Sequence, residues 1–328
     1  MSINPALKLL YKIIFKKKKY QEFKYKKKSE DRIKYYNSKI YEKIVNIQKI
    51  IENKKDLSFL HSGHLGDIVY SFPVIKELSK NHNCNLYIQA NKPMPLVYHN
   101  HPSGKVFLDK KTIKLALPLF KNQDFLNSVN IYNNEKIDIN LDIFRDIPIN
   151  MRFHSIRWYS HIVGTHVNME DPFLSAKPHN SIKNKIILVR SSRYRNEYIN
   201  YKFLKNTKNL LCIGLKSEYE DIKKEVHNLE FYDCRDFLEM AEIIKASKFF
   251  LGNLCFSYSI AEGLKIPRLL ESNPDFPVVY PIGSNAFDFY HQNHFEKFFD
   301  ILNKWEQTTL SDRFLDSVDR GKKIFKGQ

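Results

Sequence analysis

The chain of 328 residues is longer than one hydrophobic core usually serves and has length for two domains plus extensions. Its 43% hydrophobic and 14% aromatic content, with only 10 Gly and 13 Pro, excludes collagen-like and low-complexity character. A formal charge of +17 invites a nucleic-acid reading, but residues 1–55 carry +12 of it and the remaining 273 only +5, so the body is nearly balanced.

The basic arm, residues 1–55, opens on Ala6, Leu7, Leu9, Leu10, Tyr11, Ile13, Ile14 and Phe15, an apolar run interrupted by Lys8 and Lys12. The run is too short to span a bilayer. Most of its lysines follow rather than precede it and no small-residue cleavage site appears, so it is expected to stay on the mature protein. Lys16–Lys19 and Lys26–Lys28 follow, with Tyr20, Phe23 and Tyr25 interleaved. Residues 1–28 therefore suit an anionic membrane surface, and equally a solvated basic arm with no partner; RNA binding ranks below both. Tyr41–Ile51, with Ile44, Ile47 and Ile51 at helical spacing, reads as a helix leading into the first domain.

Leu57–His61 is a strand candidate, followed by Ser62-Gly63-His64-Leu65-Gly66-Asp67 and an apolar stretch from Ile68 to Leu78. The order strand, glycine turn, helix favours close approach of a ligand and an anion at the helix amides. Pro73 either opens the main helix or kinks one begun near Asp67. Read without further context, Asp67 is a helix cap before it is a functional carboxylate. Leu86–Ala90 and the alternating Ile137–Asp142 are further strands; Asp138, Asn140 and Asp142 form the polar face of the latter better than a metal site.

The second half repeats the theme. Strands are expected at Lys185–Val189, Leu210–Ile213, Glu230–Tyr232, Lys248–Leu251 and Arg268–Glu271. Capping boxes at Ser217-x-x-Glu220 and Asp236-x-x-Glu239 open helices through Val226 and Ala246, and Ser257–Leu264 is a third helix. Alternation of this kind implies parallel sheets with ligands beyond the carboxyl ends of the strands. The cysteines Cys84, Cys212, Cys234 and Cys255 lack C-x-x-C spacing, which indicates neither a zinc site nor a disulfide framework and points to a reducing compartment.

Gly66-Asp67 with Pro73 and Leu78 resembles the N-terminal signature of the heptosyltransferase-like family of GT-B glycosyltransferases, related to ADP-heptose:LPS heptosyltransferases. Phe249-Phe250-Leu251-Gly252-Asn253, the helix containing Ala261, and Lys265-Ile266-Pro267 resemble that family's strand, turn, helix and G-x-P segment near the donor. The resemblance covers residues 57–271. It departs where the family has Asp-Ser/Thr-Gly followed by His: this chain has Asn253-Leu254-Cys255, and the His position falls on Tyr258 or Ser259.

The resemblance implies an α/β GT-B fold, two Rossmann-like doubly wound parallel-sheet domains facing a cleft. The expected organisation is a basic helical arm (1–55), an acceptor domain (56–180), a nucleotide-sugar donor domain (181–285) and a helical closure (286–328) packed back on the first domain. It further implies a metal-independent, inverting transfer of sugar to a surface-glycan or lipopolysaccharide-type acceptor. No cofactor is expected, the nucleotide sugar being a substrate, and the expected location is cytoplasmic, peripheral at the inner face of the membrane.

Asp67 matches the family's catalytic base, with Gly66 and His64 beside it on the acceptor side. Arg190-Ser191-Ser192-Arg193-Tyr194-Arg195 follows the first strand of the second domain, where cations and hydroxyls would bind a diphosphate; a solvated basic loop is the alternative. Gly214, Gly252, Asn253 and the Ser257 and Ser259 hydroxyls are further donor contacts, and Glu262 or Glu271 would accept from ribose hydroxyls. Residues 151–159 mix cations with aromatics, so His154 and Arg157 suit an acceptor surface, although a packing amphipathic helix is slightly favoured. The competing class is a decayed transferase fold that binds nucleotide sugars or a membrane surface as a scaffold.

Overall fold

A computed structural model describes Pro5 and residues 17–95, 101–147 and 153–304. The apolar run Ala6–Phe15, Lys16, Met151 and Arg152 and the tail from Trp305 lie outside the described residues. The chain divides into two compact units, one formed by the described residues up to Leu174 with Pro277–Val279, the other by Ser175–Phe276 and the described residues from Tyr280.

The first unit begins with helices α1 (Lys17–Lys39) and α2 (Tyr41–Asn53). Ile40 and Ile47 are buried and α2 packs on a later helix, α5 (Ser155–Val163). Strand β1 (Asp56–His61) leads into α3 (Leu65–Leu78), and β2 (Asn83–Ile88) lies parallel to β1 in the register Asp56↔Asn83 to His61↔Ile88. Helix α4 (Lys110–Lys121) is capped by Asp109, which accepts from the Thr112 amide, and leads to β3 (Ser128–Ile131). A two-residue β4 (Ile139–Asn140) then runs directly into a 3-10 turn, Leu141–Arg145. The expected strand Ile137–Asp142 is thus cut short, because the Asn140 side chain accepts from the Asp142 amide and turns the chain. The parallel sheet order is β3-β2-β1-β4.

In the second unit, β5 (Ile186–Val189), β6 (Leu210–Cys212), β7 (Glu230–Phe231), β8 (Phe249–Asn253), β9 (Arg268–Glu271) and β10 (Ala286–Phe289) form a parallel sheet. Their spatial order, β7-β6-β5-β8-β9-β10, is the doubly wound Rossmann order 3-2-1-4-5-6, with its switch point between β5 and β8. The connecting helices are α6 (Lys216–Ile222), α7 (Phe237–Lys245) and α8 (Phe256–Leu264), with α9 (Gln292–Lys304) last. Asp236 caps α7, accepting from the Leu238 and Glu239 amides. The expected box at Ser217 does not form: the cap falls two residues earlier, on Leu215, and α6 starts at Lys216 without a side-chain cap.

The closing segment also departs from expectation. Phe295, Phe299 and Leu302 of α9 are buried in the second unit's own core, where the Phe295 ring stacks on Phe289 of β10 at 4.1 Å. Each ring buried this way contributes about 1.5–3 kcal/mol, which fixes α9 over the sheet it follows in sequence. Pro73 lies inside α3, in a helix that begins eight residues before it. Among the described residues no helix is long and apolar enough to cross a membrane.

Candidate active site

Each unit presents polar groups at the carboxyl edge of its own sheet, beside the point where the strand order reverses. In the first unit the edge is built from the β1 exit, Ser62-Gly63-His64, and from the 3-10 turn after β4.

Asp142 is the hub of this edge. Its carboxylate accepts from the Ser62 amide at 3.1 Å and from the Ser62 hydroxyl, and it pairs with Lys92 Nζ at 2.7 Å and Arg145 Nη1 at 2.5 Å. Burial works against the Asp142 charge, but His61, Arg145, Lys92 and Ser62 outweigh it and hold the carboxyl well below the usual carboxylate range. The Arg145 guanidinium lies between the rings of Phe107 and Phe144, its Cζ 4.4 Å from both centroids. Gly63 is what makes room for it, since a Cβ there would sit 1.7 Å from Arg145 Nη2.

Asp67 stands in the first turn of α3, third residue of the helix, so the capping position falls to His64 and the cap reading of Asp67 does not hold. Its side chain is 22% exposed and lies 3.9 Å from Arg145 Nη2. Crowding by the surrounding protein raises its pKa to about 6; Arg145 opposes the rise and Asp142 adds to it. A carboxyl group raised this far comes close to neutral pH, the range suited to general-base work. Gly66 and His64 are partly exposed beside it, and the His64 ring meets His101, Nδ1 to Nε2, at 3.3 Å.

Beneath them His61 is fully buried. Its Nδ1 accepts from the Gly63 amide at 3.2 Å, which leaves Nε2–H to donate to Tyr159 Oη at 2.9 Å. Burial pushes its pKa down to about 3, so the ring is neutral at physiological pH.

The proposed acceptor residues of α5 separate. His154 is buried at the helix start, where Nδ1 accepts from the Ile156 amide at 3.3 Å, and its ring meets Tyr70 of α3 edge-on. Arg157 is exposed on the opposite face. Ile156, Trp158, Tyr159, Ile162 and Val163 are buried, with Trp158 stacked on Phe144 at 5.0 Å, so this segment is the amphipathic packing helix.

At the second unit's switch point the arginines divide. Arg190 is turned inward: Nε donates to Glu271 at 2.8 Å, Nη2 donates to Glu271 at 3.0 Å and to the carbonyls of Asn196 and Ile199, and Cζ lies over the Tyr201 ring. Glu271 is also taken by the Asn196 amide and the Tyr201 hydroxyl, and Glu262 by Arg268 and Lys265. Neither glutamate is exposed to a ribose, and Arg190 is an internal anchor of the 190–196 loop. Arg195 is tied to Asp221 and to the carbonyls of Arg190 and Ser191. Arg193 is partly exposed, with its Cζ 5.5 Å from the Tyr194 ring.

Asn253 is fully buried and clamps the same loop, its Oδ1 accepting from the Ser191 amide and its Nδ2 donating to the carbonyls of Ser191 and Arg193. At Gly252 a Cβ would lie 2.2 Å from the Val189 carbonyl oxygen, so this glycine serves the contact of β8 with β5. The Ser257 hydroxyl donates to Met240 Sδ at 3.5 Å and is buried, and that of Ser259 donates to the Phe256 carbonyl. What remains exposed or partly exposed at this edge is Ser192, Arg193, Gly214, Cys255 and Phe256, while Ser257, Tyr258 and Ser259 of the first turn of α8 are buried.

Sequence reasoning missed Asp142, Arg145, Lys92, His61 and Tyr159. A local signal existed for two of them, Asn140 as a turn cap followed by Asp142 and Arg145 three apart.

No family model matches the chain, and no curated protein matches it. Among solved structures it is similar to a glycosyl transferase family 9 protein from Veillonella parvula DSM 2008, at 10% identity and a TM-score of 0.49, covering 77% of this chain and 90% of that one. It is also similar to the E. coli heptosyltransferase WaaC with ADP-2-deoxy-2-fluoro heptose, at 11% identity and a TM-score of 0.44, covering 75% and 99%. A third is the E. coli ADP-heptose LPS heptosyltransferase II, at 10% identity and a TM-score of 0.44, covering 76% and 95%.

Proposed function

We propose that this chain is a glycosyltransferase that moves a sugar from a nucleotide-sugar donor to a surface-glycan or lipopolysaccharide-type acceptor on the cytoplasmic side, with inversion and without a metal. The observation that carries the reading is Asp67: a partly exposed carboxylate at the β1 exit, raised to about 6 and facing Arg145 across 3.9 Å. In the proposed step Asp67 takes the proton of an acceptor hydroxyl as its oxygen attacks the anomeric carbon. The bond from that carbon to the diphosphate breaks, and the nucleoside diphosphate leaves with the electron pair. In the second unit taken by itself, Arg193 and the Ser192 hydroxyl are the groups suited to a diphosphate. Arg190 and Asn253 enter only through the loop they hold.

A second reading has its own support. With Arg190 spent on Glu271 and Asn253 on the Ser191 loop, the donor edge keeps few open polar side chains, which favours a scaffold that binds a nucleotide sugar without transferring it. A thermal-shift screen of the full chain against nucleotide sugars identifies the donor, since a specific ligand raises the melting temperature by mass action. Radiolabelled transfer from that donor to a deacylated lipopolysaccharide acceptor then separates the readings. The transferase reading expects turnover that Asp67→Asn abolishes while donor binding persists. Binding without turnover in the unaltered chain supports the scaffold.

A further inference from the structure

Helix α1 has properties that the active-site reading does not use. Its 23 residues extend for about 35 Å. Lys17–Lys39 contains ten Lys and Arg against three Asp and Glu, a net of +7 in sequence. From Lys19 to Lys39 most side chains are exposed, including Lys24, Lys26, Lys28 and Lys34, and between them stand exposed rings at Tyr25 (78%), Tyr35 (40%) and Tyr36 (47%). An intramolecular pair, Lys27 to Asp31 at 3.4 Å, uses one of these lysines.

A solvated helix needs neither feature. Clustered like charge repels itself and exposed tyrosines bring apolar surface into water. Both costs are relieved on a negatively charged interface, where lysines meet phosphate headgroups and tyrosine rings lie at headgroup depth. The sequence directly ahead of α1 holds Leu7, Leu9, Leu10, Ile13, Ile14 and Phe15. An apolar stretch next to a lysine cluster supplies the two signals that stable bilayer attachment requires, whereas RNA would use only the second.

The helix is also joined to the body near its end, at Asp146. Tyr35 Oη donates to the Asp146 carbonyl at 2.9 Å, and Lys43 Nζ of α2 reaches the Asp146 carboxylate at 3.1 Å. Asp146 is the residue that ends the 3-10 turn carrying Asp142 and Arg145.

We propose that α1 is a docking element for the surface of an anionic lipid bilayer, tied through Asp146 to the turn that builds the first unit's polar edge. The inference stands whether or not the chain transfers a sugar. It is tested by flotation of the full chain with phosphatidylcholine vesicles, with and without phosphatidylglycerol, and by competition with a single-stranded RNA oligonucleotide at the same salt. The expected result is binding to the phosphatidylglycerol vesicles alone. It should weaken at least about a hundredfold in the combined variant Lys24→Gln, Lys26→Gln, Lys28→Gln and Lys34→Gln. Glutamine retains helix propensity, and an unchanged circular dichroism spectrum and melting temperature would show that the variant folds. Absence of binding to anionic vesicles, equal binding to neutral ones, full binding by the variant, or displacement by RNA at equal charge concentration would each overturn the proposal.

Discussion

Arg145 divides its guanidinium unequally between two carboxylates, with Nη1 2.5 Å from Asp142 and Nη2 3.9 Å from Asp67. Asp142 takes the short contact and is held ionised, while Asp67, at the longer distance, keeps a pKa raised to about 6. Asp142→Asn removes a neighbouring negative charge and releases Arg145 to approach Asp67. Both changes favour the Asp67 carboxylate, so its pKa should fall toward the ordinary 3.8. Carboxyl titration by NMR with selectively labelled Asp checks this directly, and a pH–rate profile should show the acidic limb displaced the same way. An unmoved Asp67 resonance would mean that the Arg145 contact does not set its acidity.

The same raised pKa carries a stability signature. Because the folded-state value lies above the unfolded one, the native protein binds the proton more tightly, and stability is lost as pH rises from about 4 through about 6. Asp67→Asn cannot ionise and escapes that loss. Relative to the unaltered chain, the variant should therefore be least stabilised near pH 4 and gain up to the plateau above pH 7. The upper bound is ~3 kcal/mol, less whatever the lost Arg145 contact contributes. Urea denaturation at pH 4.5 and pH 7.5 measures the difference, and an equal effect at both would contradict a raised Asp67.

Gly63→Ala separates geometry from stability. The new Cβ would meet the far end of the Arg145 side chain, with the Phe107 ring at 3.2 Å, and not the backbone. Arg145 can swing away at modest cost, about 1–2 kcal/mol, but then loses its place between Phe107 and Phe144 and beside Asp67. Transfer activity should fall at least tenfold while the melting temperature changes by a few degrees. Collapse of both together would place Gly63 among the purely structural glycines.

What could be read from the chain alone follows from how local each signal is. β5 is a short apolar run buried on both faces, β9 is the equally buried Arg268-Leu269-Leu270-Glu271, and β1 starts at a sharp change of pattern, so these elements were legible to within a residue. Helix α4 carries an equally local signal, with Asp109 as cap and Ile113, Ala116, Leu119 and Phe120 buried along it. β10 offers only the short alternation Phe287-Asp288-Phe289, and its parallel pairing with β9 is what fixes it as a strand.

The active-site residues were harder for a physical reason. Asp67 sits in a local motif, whereas Asp142 and Lys92 acquire meaning only through contacts spanning 80 and 50 residues. Likewise nothing within Arg190-x-x-Arg193-x-Arg195 says which guanidinium turns inward. That is decided by Glu271, 81 residues away.

This inward pair supports the last prediction. Arg190 and Glu271 are both buried, and between them they hold the carbonyls of Asn196 and Ile199, the Asn196 amide and the Tyr201 hydroxyl. Arg190→Met leaves Glu271 charged and unpaired in the interior, and should cost about 3–5 kcal/mol. Glu271→Gln keeps the shape and one acceptor but leaves the guanidinium only the more distant Glu225 carboxylate, 4.0 Å away, so its penalty should be somewhat smaller. Joining the two changes removes both charges, so the double variant should be more stable than the sum of the singles predicts, with a coupling of about 1–3 kcal/mol. Chemical denaturation of the four proteins closes this cycle. If Arg190 bound the diphosphate instead of anchoring its loop, Arg190→Met would weaken nucleotide-sugar affinity while leaving stability unchanged and the Glu271 coupling near zero. An anchor predicts the reverse order: a large loss of stability, with donor affinity weakened only as far as the 190–196 loop loses its shape.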